Sequence, residues 1–206
     1  MRQAQRAAAA IERICAKIAE DGLCIQRDFL PAVDIAALAV DARRRDDAGL
    51  LHAAGVGRRM QRTERSDVRG DRIAWLDDDE PAPALHSARA ALENLRIALN
   101  ASLYLGLVVL EAHYALYPPG AVYARHRDRF RDDDTRVISC VLYLNECWKN
   151  DDGGALRVHL PSGEWRDIMP SGGTLVCFLS ERFEHEVLPA LRERLALTGW
   201  FRRRAL

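Results

Sequence analysis

The chain has 206 residues, 49% hydrophobic and 29% charged, an ordinary mixture for a folded domain with its own core and too apolar for a disordered chain. Thirty Lys plus Arg balance thirty Asp plus Glu, a formal net charge of zero, which removes the whole-chain case for a nucleic-acid or anionic-membrane partner. The cysteines (Cys15, Cys24, Cys140, Cys147, Cys177) are odd in number and form no C-x-x-C pair, so they read as free thiols of a reducing compartment, not as a disulfide frame or zinc knuckle.

The N-terminus lacks the apolar stretch of a signal peptide, since Glu12, Lys17 and Glu20 interrupt it. Ile11, Ile14, Cys15 and Ile18 recur at helical spacing, predicting an amphipathic helix over about 4–21 that Gly22 ends. A short strand follows around LCIQRDF. Next comes a helix opened by Pro31, with Val33, Ala36, Ala37 and Val40 on one side. Residues 57–76 read as two short extended pieces around an Arg-rich loop. Pro81 and Pro83 open a third helix, with Leu85, Ala88, Leu92, Leu95 and Leu99 along one face. The most apolar run, 103–110, is far short of the ~20 residues of a membrane span. The expectation is a cytoplasmic protein without a membrane segment.

Past residue 103 the pattern changes to short apolar or alternating runs, among them YLGLVVLEAHYALY, AVYARHR, RVISCVLYLN, GALRVHL, GTLVCFL and RLALTGWF. Turn clusters such as PPG, NDDGG and PSGG separate them. The pattern predicts a mainly β (α+β) fold: one domain over 1–206, with a double-stranded β-helix (jelly-roll) core in 103–206. The helices of 1–102 flank that core on its outer face.

Along a strand, residues i and i+2 share a face about 6–7 Å apart, so His126 and Asp128 can converge on one ion. Alone, H-x-D is a weak signal. His185 adds a second imidazole from a separate strand. Two His and one carboxylate leave three positions of an octahedral metal open, which suits non-haem Fe(II) oxygen chemistry, whereas a structural zinc site is closed by four ligands. Arg194 follows in RLALTGWF, an always-charged fork suited to a distant carboxylate.

In order, VRGDRIAWL, YPPGAVYARHRD, RVISCVLYLN, DGGALRVHLPSG and HEVLPALRERLALTGWF span roughly residues 60–204. They resemble Fe(II)/2-oxoglutarate-dependent oxygenases of the prolyl 4-hydroxylase type, above all the oxygen-sensing (hypoxia-inducible factor) prolyl hydroxylases of animals and their bacterial relatives. The resemblance implies that His126, Asp128 and His185 bind Fe(II). Arg194 would pair with the distal carboxylate of 2-oxoglutarate, helped by Tyr143, Tyr117 and Thr198. Tyr123, Arg136 and Trp200 match positions around the hydroxylated residue. Arg69 and Asp71 belong to a substrate loop, with Asp71 and Arg136 matching a charged pair that holds it. The resemblance further implies O2 as co-reactant, release of succinate and CO2, and a protein partner carrying a target proline hydroxylated at C4. By analogy with bacterial relatives that partner is elongation factor Tu. Ascorbate stays open as an accessory, and a monomer without nucleic acid is expected. The charges of Fe(II), one aspartate, a dicarboxylate and one guanidinium sum to zero, which avoids an isolated interior charge.

Other readings stay open at this point. The same chemistry could act on a free amino acid or another small substrate, or the fold could be a non-catalytic sensor of metal and organic acid. Tyr117, Tyr123, Tyr143 and Trp200 are also what any β-protein buries, and Asp71–Arg136 could be a surface ion pair. His52, His86, His113 and His159 show no partner pattern, although His113 precedes Tyr117 by four residues on a strand entering the site. The Arg-rich stretch over 57–71 reads either as a solvated loop or as a finger closing over an acidic peptide.

Overall fold

The computed structural model describes residues 2–55, 68–76, 83–129 and 135–205. Its first part runs α1 (Arg2–Asp21), β1 (Leu23–Gln26), α2 (Ala32–Asp47), β2 (His52–Ala53), β3 (Arg72–Trp75) and α3 (Pro83–Leu103). The second, apart from a 3-10 turn at Asn150–Asp152, is strand: β4 (Leu107–Tyr117), β5 (Tyr123–His126), β6 (Arg136–Tyr143), β7 (Leu156–His159), β8 (Trp165–Ile168), β9 (Leu175–Leu179), β10 (Glu184–Val187) and β11 (Arg194–Arg203). They form two antiparallel sheets, a larger one ordered β1-β9-β6-β11-β4-β3-β2 and a smaller one ordered β5-β10-β7-β8. This is the jelly-roll that the strand spacing predicts.

Alternation along the central strands splits the apolar residues between two cores. Tyr114, Leu116, Cys140, Leu142, Cys177, Leu195 and Phe201 pack with Ile14, Leu38, Leu85 and Leu95 of the helices. Their strand neighbours Ala115, Tyr117, Val141, Tyr143, Val176, Phe178 and Ala196 pack instead with Leu156, Val158 and Val187 of the smaller sheet. The larger sheet is thus covered on both faces, which is why its strands read as nearly unbroken apolar runs. Cys15, Cys24, Cys140 and Cys177 are buried free thiols. No helix among the described residues is long and apolar enough to cross a membrane.

The faces of α1 and α3 follow the spacing read from sequence: Ile14, Cys15 and Ile18 are buried on one, and Leu85, Ala88, Leu92, Leu95 and Leu99 on the other. Pro81 lies outside the described residues. α2 differs. Val33 is 73% exposed and Val40 65%, while Ile35, Leu38, Ala39 and Ala42 are buried together with Asp41 and Arg45. The helix carries two overlapping apolar stripes, and the one with Ile35 and Leu38 places more hydrocarbon against the sheet. Its polar members are satisfied there: Asp41 accepts from Arg45 Nε at 2.8 Å and from the Tyr114 hydroxyl at 3.2 Å.

Asn145 ties the end of β6 to the start of β11. Its Nδ2 donates to Pro170 O (2.8 Å) and Leu195 O (3.0 Å), and its Oδ1 accepts from Leu195 N–H (2.7 Å). A Cβ on Gly172 would lie 2.8 Å from the Asn145 backbone oxygen, so this approach requires glycine. Asn145→Ala removes three buried hydrogen bonds and leaves the Leu195 N–H without this acceptor. The expected cost is about 3 kcal/mol, read as a melting temperature lower by about 6–12 °C. Unchanged melting would show the tie to be dispensable.

Candidate active site

β5 and β10 are neighbours in the smaller sheet, with His126 directly opposite His185. Their side chains therefore share a face, and the ring centroids lie 4.2 Å apart. Asp128 follows β5 and joins them: its Oδ1 lies 3.5 Å from His126 Nε2 and its Oδ2 3.6 Å from His185 Nε2. All three potential ligand atoms fall within 4.8 Å of one another. His126 Nδ1 lies 2.8 Å from Ala124 O and His185 Nδ1 3.4 Å from Phe183 O. A proton donated at Nδ1 leaves the Nε2 lone pair facing the centre.

Ser139 of β6 donates to Asp128 Oδ2 at 2.6 Å and is itself 2.9 Å from the Ser180 hydroxyl. Burial lowers the pKa of His185 to about 4, so its imidazole is neutral at pH 7. Burial pushes Asp128 up, but His185, His126 and the Ser139 bond outweigh it and hold the carboxyl well below its usual range. One carboxylate and two imidazole nitrogens thus converge, a donor set that fits a divalent transition ion and leaves coordination positions open.

Arg194 opens β11 and is 2% exposed. Its Nε donates to Gly154 O at 2.9 Å, and its guanidinium lies 5.1 Å from the ring centroids of both Tyr117 and Tyr143. No carboxylate of the described residues forms an ion pair with it. A guanidinium so buried calls for an anion. The buried Tyr143 hydroxyl has no hydrogen-bond partner among the described residues. Burial raises its pKa and Arg194 draws it back, although the two fall short of hydrogen-bond geometry. A cation and an uncommitted phenol side by side fit the carboxylate of an organic acid.

A cavity of about 570 Å³ connects these parts, lined by His126, Asp128, His185, Arg194, Tyr117, Thr198, Tyr123, Arg136, Trp200 and Arg69. Even spacing along β11 places Arg194, Thr198 and Trp200 on its cavity face. Tyr143 and Asp71 stand behind the lining, Tyr143 against Arg194 and Asp71 against Arg69.

The expected Asp71–Arg136 pair does not form. Asp71 is buried and takes the Arg69 fork instead, from Nε at 2.7 Å and Nη2 at 2.9 Å. Arg136 reaches Glu111 at 3.2 Å and lies 3.5 Å over the Trp200 ring. Sheet register explains the exchange: β11 sets Trp200 opposite Glu111 on one side and Arg202 opposite Arg136 on the other, which brings Arg136 and Glu111 together.

Sequence reading missed Ser139 and the aromatic wall that His113 builds. His113 lines the cavity, with ring centroids 4.8 Å from Trp75 and 5.4 Å from Trp200. The available signal was parity, since His113 shares a strand face with Tyr117 and Ser139 with Tyr143. Residues 56–67, most of the Arg-rich stretch, lie outside the described residues.

Residues 112–202 match the 2OG-Fe(II) oxygenase superfamily. A crystal structure of a Pseudomonas putida prolyl-4-hydroxylase is 49% identical, with a TM-score of 0.85 over 97% of this chain and 100% of that one. The chain belongs to the prolyl-hydroxylase family of 2-oxoglutarate/Fe(II) oxygenases. A second solved relative is a prolyl hydroxylase in complex with a hypoxia-inducible-factor oxygen-degradation-domain peptide fragment from Trichoplax adhaerens. It is 26% identical, with a TM-score of 0.88 over 98% of this chain and 93% of that one. Egl nine homolog 1 of Homo sapiens is 31% identical over an alignment of 201 positions that covers 93% of this chain and 46% of that protein. The chain thus spans about half the length of this curated relative. Fe(II) and 2-oxoglutarate are the groups this prolyl-hydroxylase family implies. Both fit the residues present, the metal at His126, Asp128 and His185, the dicarboxylate at Arg194 and Tyr143.

Proposed function

We propose that the chain is a dioxygenase that hydroxylates C4 of a prolyl residue in a protein substrate, releasing succinate and CO2. Elongation factor Tu is the substrate implied by its resemblance to bacterial prolyl hydroxylases. One observation carries the reading: a buried guanidinium without an anionic partner among the described residues shares a single cavity with a converged His-Asp-His group. In this reading residues 1–206 work as one domain and as a monomer, without nucleic acid, and ascorbate serves as an accessory reductant.

His126, Asp128 and His185 would hold Fe(II), Ser139 fixing the carboxylate by its hydrogen bond. When bound, the metal and 2-oxoglutarate together supply the oxidative chemistry that inserts an oxygen atom from O2 into a C–H bond. Arg194 binds and orients the distal carboxylate through charge-assisted bonds, and Tyr143 adds its phenolic proton. Tyr117 and Thr198 complete the walls around that end. Toward the other end, Trp200 and Tyr123, each already stacked on a neighbouring side chain, line the cavity with the apolar surface against which a pyrrolidine ring packs. Arg136, stacked on Trp200, holds that ring in place. The enclosing walls exclude water and strengthen each of these polar contacts.

The test incubates Fe(II)-loaded protein with 2-oxoglutarate, O2 and ascorbate, offering elongation factor Tu, its proline-containing peptides and free amino acids. A gain of ~16 Da on one prolyl residue, matched by succinate, is the expected result. Hydroxylation confined to free amino acids would move the substrate class to small molecules. Binding without succinate release, with every partner present, would make the chain a sensor.

A further inference from the structure

The tripeptide Arg69-Gly70-Asp71 lies against the strand that carries His126. Ala124 N–H donates to Val68 O at 2.8 Å and Gly70 N–H to Val122 O at 2.9 Å, so a short antiparallel ladder forms with Arg69 opposite Tyr123. A Cβ on Gly70 would lie 3.0 Å from Ala121 Cβ, so glycine permits the close approach. Opposed residues of such a pair share a face. The Arg69 guanidinium accordingly lies 4.6 Å over the Tyr123 ring. That ring stacks on His126, with centroids 3.6 Å apart and planes 15° from parallel. Asp71, its side chain fully buried, holds the guanidinium by both hydrogen bonds of the fork.

We propose that Arg69 is a positioning residue for the metal ligand His126, acting through Tyr123. The torsion that swings an imidazole is broad and roughly two-fold, and one bond from Nδ1 to a carbonyl restrains it at a single point. The stacked ring fixes the plane. Arg69, itself fixed by Asp71, fixes that ring. Partners of this kind are worth about 10- to 100-fold in metal affinity. A residue that served the substrate loop alone would change the affinity for a peptide and leave the metal untouched.

The inference rests on the metal reading of the triad, and Co(II) titration of the full chain separates the two. Affinity and the visible absorption of the bound ion are read without turnover. Tyr123→Leu is expected to weaken Co(II) binding about tenfold and to alter the spectrum, whereas Tyr123→Phe, which keeps the stacked ring, stays within about twofold of wild type. Arg69→Met/Asp71→Asn, which strands no buried carboxylate, is also expected to lose about tenfold. Adding Tyr123→Leu to that pair should cost nothing more, because both act along one line. Independent, additive losses would overturn the proposal. So would a Tyr123→Leu protein that binds within about twofold of wild type, and that result holds even where the Arg69 variant does not fold. A wild-type protein that binds no Co(II) would overturn the metal reading and the positioning role together.

Discussion

Asp128→Asn is expected to lower Mn(II) affinity by more than about a hundredfold, in a protein that still folds. Asp128 supplies the charge of the triad, since burial keeps His185 neutral at pH 7. Loss of a group that merely orients a ligand costs up to about a hundredfold in metal affinity, and loss of the charged ligand itself exceeds that. The amide matches the carboxylate in shape and can still accept from Ser139, so the site keeps its form while losing its attraction for a cation. Calorimetric titration with Mn(II), alongside a melting curve of the metal-free protein, checks both halves. Undiminished affinity in the variant would place the metal elsewhere.

Arg194→Met has its largest effect on the other reactant. Truncating one partner of a buried charge-assisted pair costs about 2–5 kcal/mol, and each 1.4 kcal/mol is a factor of ten. The KM for 2-oxoglutarate should rise by roughly two to three orders of magnitude, read from succinate formation at saturating O2. Methionine fills similar space without a charge to bury, which offsets the lost bond to Gly154 O, so the metal-free variant should melt close to wild type. Arg194→Lys keeps the charge but not the fork, and falls between the two. An unchanged KM in the methionine variant would remove Arg194 from the dicarboxylate.

Sequence periodicity located what depends on one strand or one helix. The short apolar and alternating runs past residue 103 gave the strands of the jelly-roll, and the leucines of α3 gave its buried face. In α2 the same reasoning chose the wrong stripe, because Asp41 and Arg45 look solvated until Tyr114 is seen to meet them. H-x-D and the later histidine pointed to a metal, although Asp128 lies in the bend just past β5 and reaches the two histidines from there, not by strand parity. The dicarboxylate roles of Arg194, Tyr143 and Tyr117 came from family resemblance, since an arginine and two tyrosines have no spacing of their own. Partners of Asp71 and Arg136 were illegible for a different reason. The choice of Arg136 is decided by register between distant strands, and a chain read linearly carries no register; Asp71 then takes Arg69, two residues away, instead of Arg136. Ser139 was hidden likewise, since its bond to Asp128 exists only once β6 is set beside the site, whereas strand parity with Tyr117 already pointed at His113.

The most direct measurement is the heat of 2-oxoglutarate binding, taken with and without Mn(II), on wild type and on Arg194→Met. Triad and guanidinium serving one ligand together predict tight binding to the Mn(II)-loaded wild type. Binding should be weak without the metal, and weak in the variant even when Mn(II) is bound. Equal binding with and without Mn(II), or binding indifferent to the loss of Arg194, would mean that the two halves of this cavity do not share a cosubstrate.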